Sequence, residues 1–334
     1  MAASIRDVAE KAGVSVSTVS KALNGSGYVS VETAEIIRKA AAALHYTPNE
    51  RARSLASKSN HTIAFVADFP FDAAFVNPHL FEIMRGVQST LAKNEYSMIM
   101  EQMTAKDAVK RIERMYERHQ VDGFVIHMSV ITKRLADLIT RSAIPHIVIG
   151  RPDFDNRLCW IDTDHCLSGE LAAQHLLEKG YRDFVFVSGR ADDMTSWRRL
   201  LGVRNMLKEH KIDLPQERVL RSNSLLSDGV RAAKKILKMT PRPQAVICAN
   251  NPIALGVLQA LQAKEIHVPK DMAIITFDSY PFSLYTDPQL TVVDVNMYEM
   301  GQEAGRLLTQ KIKHPGTQVQ SFCTSPELVI RGTT

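Results

Sequence analysis

The sequence is poor in residues that cross-link small secreted folds or hold metals. It contains four cysteines, Cys159, Cys166, Cys248 and Cys323, with no CxxC pair and no histidine at ligand spacing. Neither a disulfide framework nor a zinc site is expected, and the thiols are predicted to be reduced and packed. No apolar run approaches the roughly 18 residues that span a bilayer, and the segment from Ser4 onward is too polar for a signal peptide. We therefore expect a cytoplasmic protein.

Common enzyme motifs are also absent. The chain has no GxGxxG, GxxxxGK[ST] or GxSxG segment, and GSGYVS precedes the α/β region. The acidic pairs Asp162/Asp164 and Asp192/Asp193 have ordinary loop explanations. We expect no catalytic residue, no metal and no cofactor. The alternative is an enzyme, and a turnover assay with candidate sugars would test it by product formation.

Length and charge indicate a multidomain protein with an anionic partner at one end. A chain of 334 residues with 45% hydrophobic residues can form two or three cored domains. Residues 1–61 hold eight Lys/Arg against five Asp/Glu, whereas the rest of the chain holds 33 against 31. This uneven positive charge favours binding of an anionic partner, such as nucleic acid, by the N-terminal segment.

From residue 62 onward, apolar β-rich runs alternate with amphipathic stretches of helical length, which indicates parallel sheets covered on both faces. Eight such units permit a barrel, but loop-rich crossings expected at Asp162–His165 and after Asp278 favour two doubly wound lobes. Ligands bind beyond the carboxyl ends of parallel strands, so a cleft between the lobes is the expected ligand site. The predicted strands are 62–69, 96–100, 122–127, 145–150, 183–189, 218–222, 244–250 and 272–278. The predicted helices are 78–94, 107–119, 132–141, 166–179, 197–211, 228–239, 252–264 and 297–313.

The first 48 residues have the pattern of a helix-turn-helix unit. Ser4 begins a capping box with Asp7, and the apolar face of the first helix stops at Gly13, which permits a sharp turn. Ser15 is a plausible cap for a second short helix and Ser30 for a third. In such units the second helix enters the DNA major groove.

The outward positions of the second helix carry Val16, Ser17 and Lys21. A serine hydroxyl can bond to base edges, valine can touch a thymine methyl, and lysine can reach guanine or a phosphate. Small helical bundles that bind no DNA also use glycine turns and serine caps. The added basic charge of this segment favours the DNA-binding interpretation.

The stretch NERARSLAS, residues 49–57, has a helical pattern but is too short to be stable alone. Asn49 can cap it, and Ala52, Leu55 and Ala56 form an apolar face. Isolated helices below roughly 12–15 residues are marginal in water. This segment is therefore expected to become helical only when something else holds it.

The N-terminal sequence IRDVAEKAGVSVSTVSKALN, continued by TAEIIRKAAAALHYTPNERARSLAS, resembles the lactose-repressor (LacI/GalR) family of bacterial transcription regulators. NPHLFEIMRGV, AVICANNPIALGVLQAL, VPKDMAIITFDS and PQLTVV resemble that family's core blocks, so the resemblance covers nearly the whole chain. It implies a DNA-binding headpiece over 1–48, a hinge helix and linker over 49–61, and a core of the periplasmic-binding-protein type over 62–334. The N-lobe would comprise about 62–160 plus 292–322, and the C-lobe about 163–289 plus 323–332.

The resemblance also implies which residues touch DNA. Two Leu55 side chains of a homodimer would open a central minor-groove step, with Arg51 and Arg53 neutralising phosphates. The alternative for Leu55 is a linker residue packed on the core. The implied DNA-binding set is Ser4, Ser15, Val16, Ser17, Thr18, Ser20, Lys21, Asn24, Tyr46, Asn49, Arg51, Arg53, Leu55 and Ala56.

Arg199, Asn250 and Asp278 are the leading candidates for binding a small molecule in the cleft. A guanidinium and a carboxylate can each take two sugar hydroxyls, and Asn250 adds a donor and an acceptor. A structural ion pair for Arg199 and a cap or turn for Asp278 are the alternatives. Asn251 stands where many relatives carry Asp, which puts any particular sugar in doubt.

Further effector candidates have weaker support. His79 and Leu80 occupy positions that vary with the ligand in the family. Phe71 and Trp197 are candidate stacking platforms or simple core residues, and Arg151 is a further candidate.

The resemblance implies a DNA-binding transcription regulator, expected to be a repressor, that associates with the bacterial nucleoid when bound to DNA. The expected partners are palindromic operator DNA, a sugar or sugar derivative as effector, and a second copy of the chain, with no membrane partner. A solute-binding module for transport is the alternative. That alternative would require a signal peptide or lipid-attachment segment, where this chain carries the helix-turn-helix pattern instead.

Overall fold

The computed structural model describes residues 3–24, 28–46, 59–68, 78–191, 193–316 and 321–334. The predicted hinge segment 49–57 and Phe71 lie outside these ranges. The described helices are α1 (Ile5–Ala12), α2 (Val16–Asn24), α3 (Val31–Ala43), α4 (Pro78–Lys93), α5 (Ala105–Glu117), α6 (Lys133–Arg141), α7 (His165–Glu178), α8 (Met194–Glu209), α9 (Leu226–Ile236), α10 (Asn251–Gln262) and α11 (Met297–Lys313). The described strands are β1 (Thr62–Ala67), β2 (Ser97–Gln102), β3 (Gly123–His127), β4 (His146–Ile149), β5 (Trp160–Thr163), β6 (Phe184–Val187), β7 (Val219–Leu220), β8 (Ala245–Cys248), β9 (Ala273–Phe277), β10 (Thr291–Asp294), β11 (Ser321–Thr324) and β12 (Glu327–Val329).

The three N-terminal helices pack around a small core of their own. Val8, Val19 and Ile37, one from each helix, are fully buried in it. Ile36 is half exposed, because it lies next to Ile37 and therefore about 100° around the helix from the buried face. The headpiece thus has a core of its own, built from a few aliphatic side chains.

The rest of the chain forms two doubly wound lobes, which confirms the predicted fold class over a barrel. The first sheet has the order β11-β5-β4-β3-β1-β2, and the second has the order β12-β10-β9-β8-β6-β7. All pairings are parallel except that of β10 with β12. The central strands are buried on both faces, as continuous apolar runs covered by helices require.

The segments that connect the two lobes lie at slightly different residues from those predicted. Residues 160–163 form a strand in the first sheet, and α7 begins at His165, so Asp164 alone separates the two elements. Thr291–Asp294 belongs to the second sheet and Ser321–Thr324 to the first, which moves the later lobe boundaries by a few residues. Strands of four residues with polar members lack the apolar run that identified the others.

The four cysteines are free thiols, and one of them is not packed in the interior as predicted. Cys159 and Cys248 are buried and Cys166 is half-buried, but Cys323 is exposed. Its strand, β11, lies at the edge of the first sheet and leaves one side uncovered. Within the described ranges, no helix is both long enough and apolar enough to cross a membrane.

Candidate functional site

The turn before α2 is built by the residues that the sequence identified. The backbone N–H of Asp7 donates to Ser4 Oγ at 3.4 Å, and the Ser4 N–H donates to Asp7 Oδ2 at 2.7 Å, which completes the capping box. Hydrogen bonds from Ser4 lower the pKa of Asp7. Gly13 takes a left-handed conformation with φ 66°, which favours glycine. The Thr18 N–H then donates to Ser15 Oγ at 3.1 Å and caps α2.

The helix that follows this turn presents a polar surface. Val16, Ser17 and Lys21 are all exposed, as predicted for outward positions. Thr18 and Ser20 are half-buried, and the Thr18 hydroxyl lies 2.8 Å from Ser15 Oγ.

The remaining predicted DNA contacts have varied positions. Ser4 is exposed, whereas Tyr46 is half-buried against the headpiece core. Asn24 ends α2. Asn49, Arg51, Arg53, Leu55 and Ala56 lie outside the described residues. DNA contact by every member of the set stays a prediction.

A cavity of about 310 Å³ lies between the two lobes, at the carboxyl ends of their strands. This is where open parallel sheets bind ligands, and the volume is that of a small-molecule site. The first lobe and the crossing supply His79, His127, Met128, Ser129, Ile149, Gly150, Asp162, Met297 and Met300. The second lobe supplies His165, Asp193, Met194, Thr195 and Arg198.

Arg198 joins the lobes across this cavity. Its Nη1 donates to Asp162 Oδ2 at 3.2 Å, and its Nη2 lies 3.4 Å from the carbonyl oxygen of Arg151. The Asp162 carboxylate also accepts the N–H groups of Arg151 and Thr163 and lies 3.2 Å from His165 Nε2. Burial opposes ionisation of Asp162, but these hydrogen bonds outweigh it and lower the pKa of the carboxyl group. Asp162 therefore stays charged at neutral pH.

Arg199, the neighbour of Arg198, points to a different place. Its Nη2 donates to Asp278 Oδ1 at 3.0 Å, its Nη1 donates to the Ala249 carbonyl at 2.8 Å, and its guanidinium stacks on Phe277. Both members of this ion pair are almost fully buried. His79 Nδ1 lies 4.0 Å from Asp278 Oδ2, which makes a second contact between the lobes.

The amides after β8 hold the loop that carries Asp278. Asn250 caps α10 by accepting the Ile253 N–H at 3.1 Å. Asn251 is fully buried, and its Nδ2 donates to the carbonyl oxygens of Phe277 and Asp278 at 2.5 and 2.6 Å. An aspartate at this position has no N–H to donate to them. Asn251 thus supports Asp278, whose φ of 70° is rare for a residue with a side chain.

Of the predicted effector residues within the described ranges, His79 lines the cavity and the others do not. Leu80 is buried in the core of the first lobe, because it lies on the inner face of α4. Trp197 and Arg151 are exposed, and the Arg151 guanidinium lies over Trp160. Arg199 and Asp278 are not among the lining residues and form a buried ion pair with each other. Ligand contact by the predicted set stays a prediction.

Sequence reasoning missed most of the polar lining. His127 is the last residue of a predicted strand, and that position was the available signal. Asp162 and His165 were assigned to a crossing loop, and Asp193 to an ordinary one. Arg198 carried no signal that separated it from Arg199.

Comparison with protein families matches two parts of the chain. Residues 4–49 match the model of bacterial regulatory proteins of the lacI family, and residues 173–334 match the periplasmic binding protein-like domain. The chain is 31% identical over 333 residues to the HTH-type transcriptional repressor PurR of Vibrio parahaemolyticus, covering 99% of this chain and 98% of the relative. It is also 31% identical to the ribose operon repressor of Haemophilus influenzae, covering 98% of each.

Solved structures agree with this assignment. The complex of the transcriptional regulator CelR with cellobiose has a TM-score of 0.74 and 25% identity, covering 99% of this chain and 100% of the other. The lac repressor dimer bound to operator and the anti-inducer ONPF has a TM-score of 0.84 over 100% of this chain and 99% of the other. Its identity is 22%, so it supports the fold.

Proposed function

Because the chain belongs to the lacI family of bacterial regulatory proteins, we propose that it is a cytoplasmic repressor that binds operator DNA under control of a small-molecule effector. The observation that carries the proposal is the combination of two sites in one chain. A capped α2 follows a glycine turn and exposes Val16, Ser17 and Lys21, while a cavity between two lobes is bridged by Arg198 and Asp162.

The exposed face of α2 supports reading of the major groove. Ser17 and Lys21 offer hydrogen bonds to base edges or phosphates, and Val16 offers an apolar contact for a thymine methyl. The headpiece is stabilised by its own small core, so this face is held without help from the lobes. We propose palindromic operator DNA as the partner, since a two-fold symmetric dimer reads two half-sites.

The cavity supports effector binding that alters how the lobes sit on each other. Two contacts, Arg198–Asp162 and His79–Asp278, cross between the lobes at the cavity. A ligand that changes these contacts changes the relative energies of open and closed arrangements, and couplings of about 1–3 kcal/mol change affinity 5- to 150-fold. We propose a sugar or sugar derivative, as the names of the ribose operon repressor and the cellobiose complex suggest. The segment 49–57, with Leu55 as the minor-groove wedge, is the proposed connector.

The outer edges of the two sheets support a homodimer. The segments that connect the lobes leave from β5, β10 and β11, which lie at or next to one edge of their sheets. The opposite edges are formed by β2 in the first sheet and β7 in the second. Ile99 and Met100 on β2 are partly exposed, as are Leu225 and Leu226 after β7. An exposed apolar sheet edge favours self-association. In sedimentation equilibrium, Ile99→Lys should shift the chain toward the monomer.

Selection of DNA duplexes from a random library tests the DNA-binding proposal. The full chain should enrich a palindromic sequence, and deletion of residues 1–61 should abolish that enrichment while leaving a folded core by circular dichroism. Retained enrichment by the truncated chain would refute the proposal. Thermal-shift measurements with ribose and cellobiose, with and without the selected duplex, then give the sign of the coupling.

A further inference from the structure

We propose that the interlobe cavity selects an uncharged effector and rejects phosphorylated or carboxylated ligands. The inference deepens the proposed function, since it concerns the effector that the cavity takes. Its basis is the charge on the cavity wall. The described lining residues include one arginine, Arg198, and two carboxylates, Asp162 and Asp193, and no lysine.

The single arginine of the described lining is already paired with a carboxylate. Arg198 lies 3.2 Å from Asp162, with its side chain about four-fifths buried, so its charge is directed into the pair and away from a ligand. Asp162 is fixed by two backbone N–H groups and His165, which keeps the pair assembled. An incoming phosphate or carboxylate would have to displace an anion that is already bound intramolecularly. It would also approach Asp193.

Arg199 and Arg151 do not change this balance. Arg199 is paired with Asp278 at 3.0 Å, and its side chain is almost fully buried. Arg151 is exposed, with its guanidinium placed over the ring of Trp160. Neither is among the lining residues of the cavity.

Two of the lining histidines add polar groups without adding charge. Burial lowers the pKa of His127 to about 4 and also lowers the pKa of His79, so both rings are neutral at pH 7. The N–H of Ser129 donates to His127 Nδ1 at 3.2 Å, which leaves the ring proton of His127 on Nε2. His127 therefore offers a hydrogen-bond donor, which suits a hydroxyl or carbonyl oxygen.

His165 supplies a complementary group. Its Nε2 lies 3.2 Å from the Asp162 carboxylate, while its Nδ1 is buried and has no partner among the described residues. An unpaired buried nitrogen costs free energy, which a ligand that forms a hydrogen bond with it recovers. Four methionines, Met128, Met194, Met297 and Met300, form the apolar part of the wall together with Ile149. Neutral donors and acceptors between thioethers fit a polar but uncharged compound.

The four cavity methionines provide a direct test. Methyl groups of ¹³C-labelled methionine report binding at the cavity by NMR, separately from any anion bound by the basic headpiece. Inorganic phosphate and ribose 5-phosphate serve as probes, at constant ionic strength because salt screens charges. We expect neither probe to give saturable shifts of these four signals in the full-length chain.

Two variants should reverse the selection. Asp162→Asn removes the anion that neutralises Arg198, and Thr195→Lys places a new cation on the wall. Each should bind at least one probe saturably and at least about tenfold more tightly than the parent chain. Thr195 is half-buried in the first turn of α8, so its variant keeps the test valid if Asp162→Asn does not fold. Adding Arg198→Gln to Asp162→Asn should remove the gain.

Two results would overturn the proposal. One is saturable binding of either probe by the parent chain at these methyl signals. The other is failure of every folded variant to gain anion binding, because charge would then not be what excludes anions. These results do not depend on DNA, so failure of the duplex selection would refute the repressor assignment separately and leave the charge selection standing.

Discussion

Arg199 and Asp278 form an ion pair with a 3.0 Å separation between Nη2 and Oδ1, and both residues are almost completely buried. Phe277 stacks on the guanidinium, and Asn251 holds the backbone of Asp278 from the opposite side. The pair joins α8 to the end of β9. It therefore fixes the second lobe's side of the cleft, whatever ligand the cleft binds.

Replacing Arg199 by methionine should destabilise the chain strongly. The substitution keeps much of the side chain's volume but leaves the Asp278 carboxylate buried without its partner. Breaking a buried pair in this way costs roughly 3–5 kcal/mol. Urea denaturation followed by circular dichroism measures the loss. The matched control is Arg306→Met, because the Arg306 side chain is about half exposed and surface pairs of this kind contribute at most about 1 kcal/mol. Equal losses in the two variants would contradict the structural role of the buried pair.

Gly86→Ala should destabilise the first lobe through a backbone clash. A Cβ at Gly86 would lie 2.1 Å from the carbonyl oxygen of Tyr298, and one at Gly301 would lie 2.2 Å from that of Ile83. The two glycines let α4 and α11 approach closely. Overpacking of this kind costs typically about 1–3 kcal/mol. Thermal unfolding should show the loss for Gly86→Ala but not for Gly316→Ala, whose Cβ meets no atom within 4 Å. No difference between the two variants would argue against the close helix contact.

Local features of this fold were predictable from the sequence because their causes are local. Ser4, Ser15 and Ser30 cap the helices that their positions predicted, and Gly13 takes the left-handed turn. The apolar runs predicted eight of the described strands, β1 to β4 and β6 to β9. The strand at Trp160 was missed, because its sequence WIDT forms no continuous apolar run and its place in the sheet is fixed by distant neighbours.

The site was harder to predict because its contacts join residues that are far apart in sequence. Arg198 and Arg199 are adjacent, but successive residues of a helix point about 100° apart, so one faces the cavity and the other the interior. Asp162, the partner of Arg198, lies 36 positions earlier and in the other lobe. The sequence showed that Asn251 stands where many relatives carry Asp. It did not show that the Asn251 side chain donates to the carbonyl oxygens of Phe277 and Asp278.

His146 should make stability depend on pH between about 4 and 6.5. It is buried, its Nδ1 lies 2.7 Å from the Ile144 carbonyl, and its Nε2 accepts the Cys159 N–H at 3.0 Å. Burial, with Lys311 nearby, lowers the pKa of His146 from 6.5 to about 4. The unfolded chain therefore binds more protons in this window, so the contribution present above pH 6.5 is lost as the pH falls toward 4.

Urea denaturation at several pH values between 4 and 7 measures this slope. His146→Gln should reduce the slope, because the replaced side chain no longer takes up a proton on unfolding. His314→Gln, at an exposed position, should leave the slope close to that of the parent chain. An unchanged slope in the His146 variant would assign the pH dependence to other groups.

Lys21→Gln should weaken DNA binding and make it less dependent on salt. Lys21 lies on the exposed face of α2, where a phosphate contact would release counterions. Losing one such contact lowers the slope of log affinity against log salt by about 0.9. Fluorescence anisotropy with the selected duplex, over a series of salt concentrations, measures this slope. Lys39→Gln is the matched control, since Lys39 is a well-exposed lysine on α3 with Glu35 nearby at 3.8 Å. If Lys39→Gln lowered the slope and Lys21→Gln did not, α3 rather than α2 would face the phosphates.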